Sequence, residues 1–225
     1  MRISNRTDPV ATATATVLTL VLRILSLIVT FVSVISNAGV SLLPSLLRSN
    51  LLTIAILVFL VIALVRKRKD PLAAVFFLLS ALPAAVAIIR HIQNLANPYS
   101  YKIQVIIWIL CNLATIAFYV LLAVECFAPG KISGTGSRSL LILLPIVSIL
   151  LSAVGNYALS IADALSWGDF SLIFSMLISA TFSIGMQCWM IFVGIAFSIP
   201  VYENPGNGWG PVNSWGSATQ KNYNP

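Results

Sequence analysis

Arg23 is the residue whose charge most needs an explanation, because it lies inside a long apolar stretch, Val17–Ile35. If that stretch crosses a bilayer, the charge is costly, and intramembrane arginines pair with acids, line pathways or extend to the surface. Three interpretations stay open: the side chain extends to the headgroups, it pairs with Glu125, or it binds an anion. Glu125 is the acid expected closest to it in depth.

Polar residues recur at helical spacing within the apolar stretches. In the first stretch they follow one another at intervals of four and three residues, from Thr12 through Arg23 to Asn37. In the last stretch they are four apart, from Ser171 to Gln187. Small and hydroxylated residues are the ones that helix contacts use in lipid. The candidates for such a helix seam, or for a polar cavity, are Arg23, Thr30, Asn112, Thr115, Glu125, Ser152, Asn156, Ser179, Ser183 and Gln187.

The elements that must position these residues are transmembrane helices. The chain is 59% hydrophobic and 8% charged, whereas soluble domains are about 25% charged, which excludes a water-soluble enzyme. We predict an all-α polytopic membrane protein, a bundle of six transmembrane helices in residues 1–199, and a flexible, disordered cytoplasmic tail, 200–225. Proline at position 83 predicts a kink, and the second span, nearly without polar residues, is expected to face lipid. The predicted spans are about 13–35, 47–64, 71–89, 103–126, 140–159 and 170–199.

The basic residues predict the orientation. With a cytoplasmic N-terminus, the inner side holds nine of the thirteen Lys and Arg residues and the outer side three, with Arg23 inside a span. Such a bias places positive loops in the cytoplasm, so we expect an integral protein of the cell membrane with both termini cytoplasmic. The run Arg66, Lys67, Arg68 and Lys69 is expected to contact anionic lipid headgroups, and no nucleic-acid partner is expected.

Sequence motifs for catalysis or metal binding do not occur in the chain. His91 is the single histidine, and the three cysteines form no CxxC pair. No Gly-x-Ser-x-Gly or HExxH motif is present, so we expect no enzyme, no metal and no cofactor. The leading interpretation is a non-enzymatic integral membrane protein whose polar seams serve packing, or assembly with itself or a membrane partner. The alternative is a small-solute binding or transport subunit with a polar intramembrane cavity.

Overall fold

The computed structural model describes residues 2–3, 5–38, 43–96, 102–129, 135–159, 161–162, 165, 168 and 170–203. Its architecture is helical, with one short β pair joining the two ends of the described chain. The elements are β1 (Arg2–Ile3), α1 (Pro9–Ala38), α2 (Leu43–Val65), α3 (Pro71–Ser80), α4 (Leu82–Leu95), α5 (Lys102–Phe127), α6 (Thr135–Ala153), a π-helical segment (Val154–Ala158), α7 (Phe170–Gln187), α8 (Trp189–Ser198) and β2 (Tyr202–Glu203).

Local sequence signals account for where several helices begin and break. Asp8 accepts a hydrogen bond from the Ala11 amide (2.7 Å) at the start of α1. Asp70 does the same for the Ala73 amide (2.8 Å) at the start of α3, whose first residue is a proline. Such caps satisfy amides that have no partner inside the helix. The kink expected near Pro83 is present as a break at Ala81, between α3 and α4.

Four described helical stretches are long and apolar enough to cross a membrane. They are Pro9–Val29, Pro71–Leu95, Lys102–Phe127 and Met176–Ser198. Two shorter apolar helices, Ile54–Val65 and Arg138–Ala153, correspond to the second and fifth predicted spans. The prediction of an all-helical chain with membrane-spanning helices is therefore confirmed, whereas a bundle of six spans stays a prediction.

Both ends of the described chain meet the α2–α3 loop at one end of the bundle. β1 and β2 pair antiparallel, with Arg2 opposite Glu203. The Lys69 amide donates to the Asn5 carbonyl (2.6 Å), and the backbone of Arg6 bridges to that of Arg68. The tail predicted as disordered from residue 200 thus starts with a paired strand, and its residues 204–225 lie outside the described ones.

The main apolar core lies toward this same end. Its buried members come from α1, α2, α3, α5, α6 and α8, and include Phe77, Phe118, Leu122, Val193 and Phe197. The expectation that the second span faces lipid is wrong for its C-terminal part. Leu60, Ala63 and Leu64 are buried in the core, because α2 packs against both α1 and α3. We call the part of the structure that contains these core residues the packed half.

Candidate functional site

A buried ion pair joins three elements in the packed half. Lys69 Nζ lies 2.7 Å from Glu125 Oε1 and donates to the Phe197 carbonyl at 3.0 Å. The side chains of Lys69 and Glu125 are 1% and 8% exposed. The structure therefore links the α2–α3 loop, the last turn of α5 and the last turn of α8. In this arrangement Glu125, considered above as a partner of Arg23, pairs with a lysine from the loop.

Lys69 departs from the other basic residues of its run. We expected all four to contact lipid headgroups, but Lys69 is buried and ion-paired, so a headgroup cannot reach it. Arg66, Lys67 and Arg68 are exposed. The chain turns at Lys67, whose φ of 51° lies in the left-handed region, and Asp70 immediately afterwards caps α3.

Asp70 also pairs with Arg66, whose Nε lies 3.2 Å from the carboxylate. Burial alone would raise the pKa of this carboxyl group. The Ala73 amide and the Arg66 guanidinium, helped by the charge of Arg68, outweigh that effect and hold the pKa below its ordinary value of 3.8. The cap on α3 is therefore a carboxylate under neutral conditions.

Arg23 lies against aromatic side chains near the middle of α1. Its guanidinium carbon is 4.7 Å from the centroid of the Trp189 ring, the first residue of α8. The phenol of Tyr119, from α5, interacts with the same guanidinium. Trp189 and Tyr119 are 1% and 2% exposed, whereas Arg23 is half-buried. We call Arg23, Tyr119 and Trp189 the arginine cluster.

The aromatic contacts offset only part of the cost of this charge in a membrane. An arginine at the bilayer centre costs about 2.5–3.5 kcal/mol on insertion scales, and a cation–π contact contributes about 0.5–2 kcal/mol. Ion pairs in the described part of the chain include Arg66–Asp70 and Lys69–Glu125. The arginine cluster thus presents a cation whose observed contacts are aromatic.

Thr19 lies one helical turn before Arg23 on α1 and is fully buried. Its hydroxyl finds no hydrogen-bond partner among the described residues. Most buried hydroxyl groups are hydrogen-bonded. The Thr19 hydroxyl is therefore an exception among the described residues.

An apolar groove runs between α1 and α7, with a volume of about 600 Å³. Four of its lining side chains, Leu25, Leu177, Ile178 and Phe182, are 42–57% exposed, so the groove opens outward. The arginine cluster is not part of the lining, although Trp189 follows Gly185 and Met186 closely in sequence. The lining residues are Leu22, Leu25, Leu177, Ile178, Thr181, Phe182, Gly185 and Met186.

Several predicted polar residues with described side chains form hydrogen bonds between helices or within a helix. Thr115 and Ser148 share a hydrogen bond between α5 and α6 (2.9 Å). Gln187 donates to Ser152 (3.3 Å), and Asn112 donates to the Trp108 carbonyl of its own helix (2.8 Å). These contacts agree with a packing seam. The side chains of Thr30, Asn156, Ser179 and Ser183 lie outside the described residues.

Two glycines mark how differently α7 and α8 are packed. A Cβ atom on Gly194 would collide with the Leu141 carbonyl of α6 and touch the Phe118 ring. A Cβ atom on Gly185, in the groove, would meet no heavy atom within 4 Å. Sequence reasoning singled out neither glycine, nor the pairing of Lys69 with Glu125. The run of four basic residues before Asp70 gives no signal that its last member is buried.

Neither the metal-ligating residue types nor the comparisons with known proteins indicate an activity. His91 stacks on Trp108 with ring centroids 5.5 Å apart. Within the described part of the chain, no group of three or more His, Cys, Asp or Glu residues could hold a metal ion. No protein-family model, no curated protein and no solved structure matches the chain. The helices are compatible with a membrane protein by length and composition, and the arginine cluster and the α1–α7 groove are the candidate sites.

Proposed function

We propose that this chain is a non-enzymatic integral membrane protein that assembles with another membrane protein through the α1–α7 groove. The observation that carries the proposal is an apolar groove that opens outward between α7 and α1, the least buried of the four candidate spans. The other polar candidates with described side chains, such as Thr115 and Ser152, form hydrogen bonds with neighbouring helices or within their own. Their role is then the internal packing of the bundle.

The first span has the smallest buried fraction of the four candidate spans. In the apolar window of Pro9–Val29, 17% of residues are buried, compared with 31–33% in the other three candidate spans. Helix association in lipid depends on packing and polar contacts, because an apolar side chain gains little free energy when it moves from the acyl chains to a helix interface. The groove gives a partner helix a recessed apolar surface against α1 and α7.

We further propose a cell-membrane protein with six spans and both termini in the cytoplasm. The distribution of Lys and Arg supports this orientation. The meeting of β1, β2 and the α2–α3 loop at one end supports an even number of crossings between them. The exposed Arg66, Lys67 and Arg68 would then face anionic headgroups of the inner leaflet.

Photo-crosslinking in cells tests the docking surface. A benzophenone amino acid at Phe182, in the groove, is compared with one at Leu113 on α5, which is similarly exposed (46% and 48%). We expect a discrete protein adduct from position 182 that is absent from position 113. Identical adducts from both positions, or lipid adducts alone, would contradict the proposal.

A second candidate, binding of a small apolar ligand, is favoured by the volume of the groove. Small-molecule pockets occupy about 300–1,000 Å³, and the groove has about 600 Å³. The polar cavity expected for a solute-binding subunit differs from this groove, whose lining is apolar apart from Thr181. A small molecule retained in native mass spectrometry, without a protein adduct at position 182, would favour this second function.

A further inference from the structure

The N-terminal segment and the α2–α3 loop form a short antiparallel ribbon at the end of the bundle. Two backbone hydrogen bonds flank its directly opposed residues, Arg6 and Arg68. In the antiparallel pattern this is a non-hydrogen-bonded pair, in which the opposed Cα atoms are only about 4.5 Å apart and the side chains lie close together. The bonds run from the Thr7 amide to the Lys67 carbonyl (3.2 Å) and from the Lys69 amide to the Asn5 carbonyl (2.6 Å).

Alternation along this ribbon turns the two arginines outward. Successive residues of an extended segment point to opposite faces. Thr7 and Lys69, which follow the arginines in sequence, are each 2% exposed, so their face packs on the bundle. Arg6 and Arg68 are exposed. The ribbon therefore holds two guanidinium groups side by side on its outer face.

Two like charges directly opposite each other destabilise a ribbon of this kind. The exposed Arg66 and Lys67 add further positive charge next to the pair. Two acids lie close in the sequence, and each already serves a helix start: Asp8 accepts from the Ala11 amide, and Asp70 caps α3 and contacts Arg66. A bound anion would offset the repulsion, because guanidinium groups bind phosphate oxygens through paired, charge-assisted hydrogen bonds.

We infer that Arg6 and Arg68, with Lys67 beside them, bind a phosphate monoester. A monoester phosphate carries a charge of about −1.5 to −2 at pH 7, which matches two guanidinium groups, whereas a phosphate diester carries a single charge. The ligand is then a membrane lipid whose headgroup ends in a monoester phosphate, or a free phosphomonoester. This inference goes beyond general contact of the loop with anionic headgroups, and it does not depend on docking at the α1–α7 groove.

Native mass spectrometry of the intact protein in a neutral detergent tests the inference. The protein is mixed with equal amounts of phosphatidic acid, a phosphate monoester, and phosphatidylglycerol, a diester with the same acyl chains. We expect phosphatidic acid to be retained about tenfold more than phosphatidylglycerol, the factor that one hydrogen bond to a charged group typically contributes. Equal retention of the two lipids would overturn the monoester site and indicate only a general attraction to negative charge.

Three variants assign the preference to the ribbon. Arg6→Gln and Arg68→Gln should each abolish the preference for phosphatidic acid. Arg90→Gln is the matched control, since it removes one exposed guanidinium from the C-terminal part of α4 and should keep the preference. A preference that survives both ribbon substitutions, or that is lost equally in Arg90→Gln, would overturn the assignment. The comparison of the two lipids on the unaltered protein decides the inference even if a variant fails to fold.

Glycerol 3-phosphate distinguishes the two sources of the phosphate group. It carries the same monoester group as phosphatidic acid but has no acyl chains, and glycerol at the same concentration is its control. Retention of phosphatidic acid in its presence would support a lipid headgroup as the ligand. Displacement by glycerol 3-phosphate, but not by glycerol, would support a free phosphomonoester.

Discussion

Lys69 and Arg23 are both cations held within the same helical bundle, yet their surroundings differ. Lys69 has a carboxylate at 2.7 Å and a carbonyl at 3.0 Å, and it is almost fully buried. Arg23 lies on an aromatic ring at 4.7 Å and is half-buried, on a helix that also lines an open groove. The first cation is held by an ion pair, whereas the second is held by aromatic contacts.

The packing around the two cations differs in the same way. Next to Lys69 the apolar core is closed, and Gly194 allows α8 to approach the backbone of α6. Between α1 and α7, in contrast, a groove opens outward, and a Cβ atom on Gly185 would meet no heavy atom within 4 Å. Evenly distributed packing would make both regions equally sensitive to substitution. We instead expect substitutions in the packed half to affect stability more than substitutions in the groove.

Removal of one partner of the buried ion pair should have the largest effect on stability. Glu125→Gln leaves Lys69 buried without its counter-ion, which typically costs about 3–5 kcal/mol. The double replacement Lys69→Met and Glu125→Met should cost much less, because it removes both charges. Chemical unfolding in detergent measures these values. Arg66→Gln is the matched control, since the exposed pair with Asp70 contributes only about 0–1 kcal/mol.

Gly194→Ala should have the next largest effect. The added methyl group would push against the Leu141 carbonyl, and overpacking of a core costs about 1–3 kcal/mol. Gly185→Ala is the control on the neighbouring helix, where the methyl group meets no atom. Alanine is favoured over glycine in helices by about 0.8–1.0 kcal/mol, so this variant should unfold no more easily than the parent. Equal destabilisation by both changes would remove the contrast between the two halves.

Asp70→Ala should destabilise the protein less, through loss of the cap on α3. Such changes cost about 0.5–2 kcal/mol. The pKa of Asp70 is lowered in the folded protein, so its contribution is complete above the ordinary pKa of 3.8 and is lost as the pH falls through the folded value. The difference in unfolding free energy between the parent and Asp70→Asn should therefore shrink in acid. A difference that grows in acid would reverse the assigned sign.

Thr19→Val should have the smallest effect on stability. The substitution keeps the shape and removes a buried hydroxyl group for which the described residues provide no partner. Replacement of an unsatisfied polar group by an apolar one is close to neutral or stabilising. A clear loss of stability would show that this hydroxyl has a partner in the folded protein. Thr12→Val is the comparison, because Thr12 donates to the Asp8 carbonyl at 2.6 Å.

The sequence was sufficient to predict the helices and part of their inner faces. Long apolar stretches predicted membrane-spanning helices, and the proline at position 83 predicted the break between α3 and α4. The polar spacing of the first span correctly indicated a buried face at its start, since Thr12 and Thr19 are buried. These features depend on local composition and helical periodicity, which a single sequence displays.

The contacts that distinguish the two cations could not be predicted in the same way. Lys69 and Glu125 are 56 residues apart, and burial of Lys69 follows from the turn at Lys67 and from the convergence of α5 and α8. Four adjacent basic residues look alike in sequence. The stacking of Arg23 on Trp189 likewise needs the relative rotation of α1 and α8, which helical spacing alone does not determine.

The most direct test of the contrast is a comparison of Arg23→Gln with Glu125→Gln in the purified protein without a partner. Because aromatic contacts hold Arg23, its substitution removes a cation–π contact with Trp189 together with the contact to Tyr119, and should lower the unfolding free energy by about 0.5–2 kcal/mol. Glu125→Gln should lower it by about 3–5 kcal/mol. If both substitutions destabilise the isolated protein equally, the contrast between the two cations is wrong.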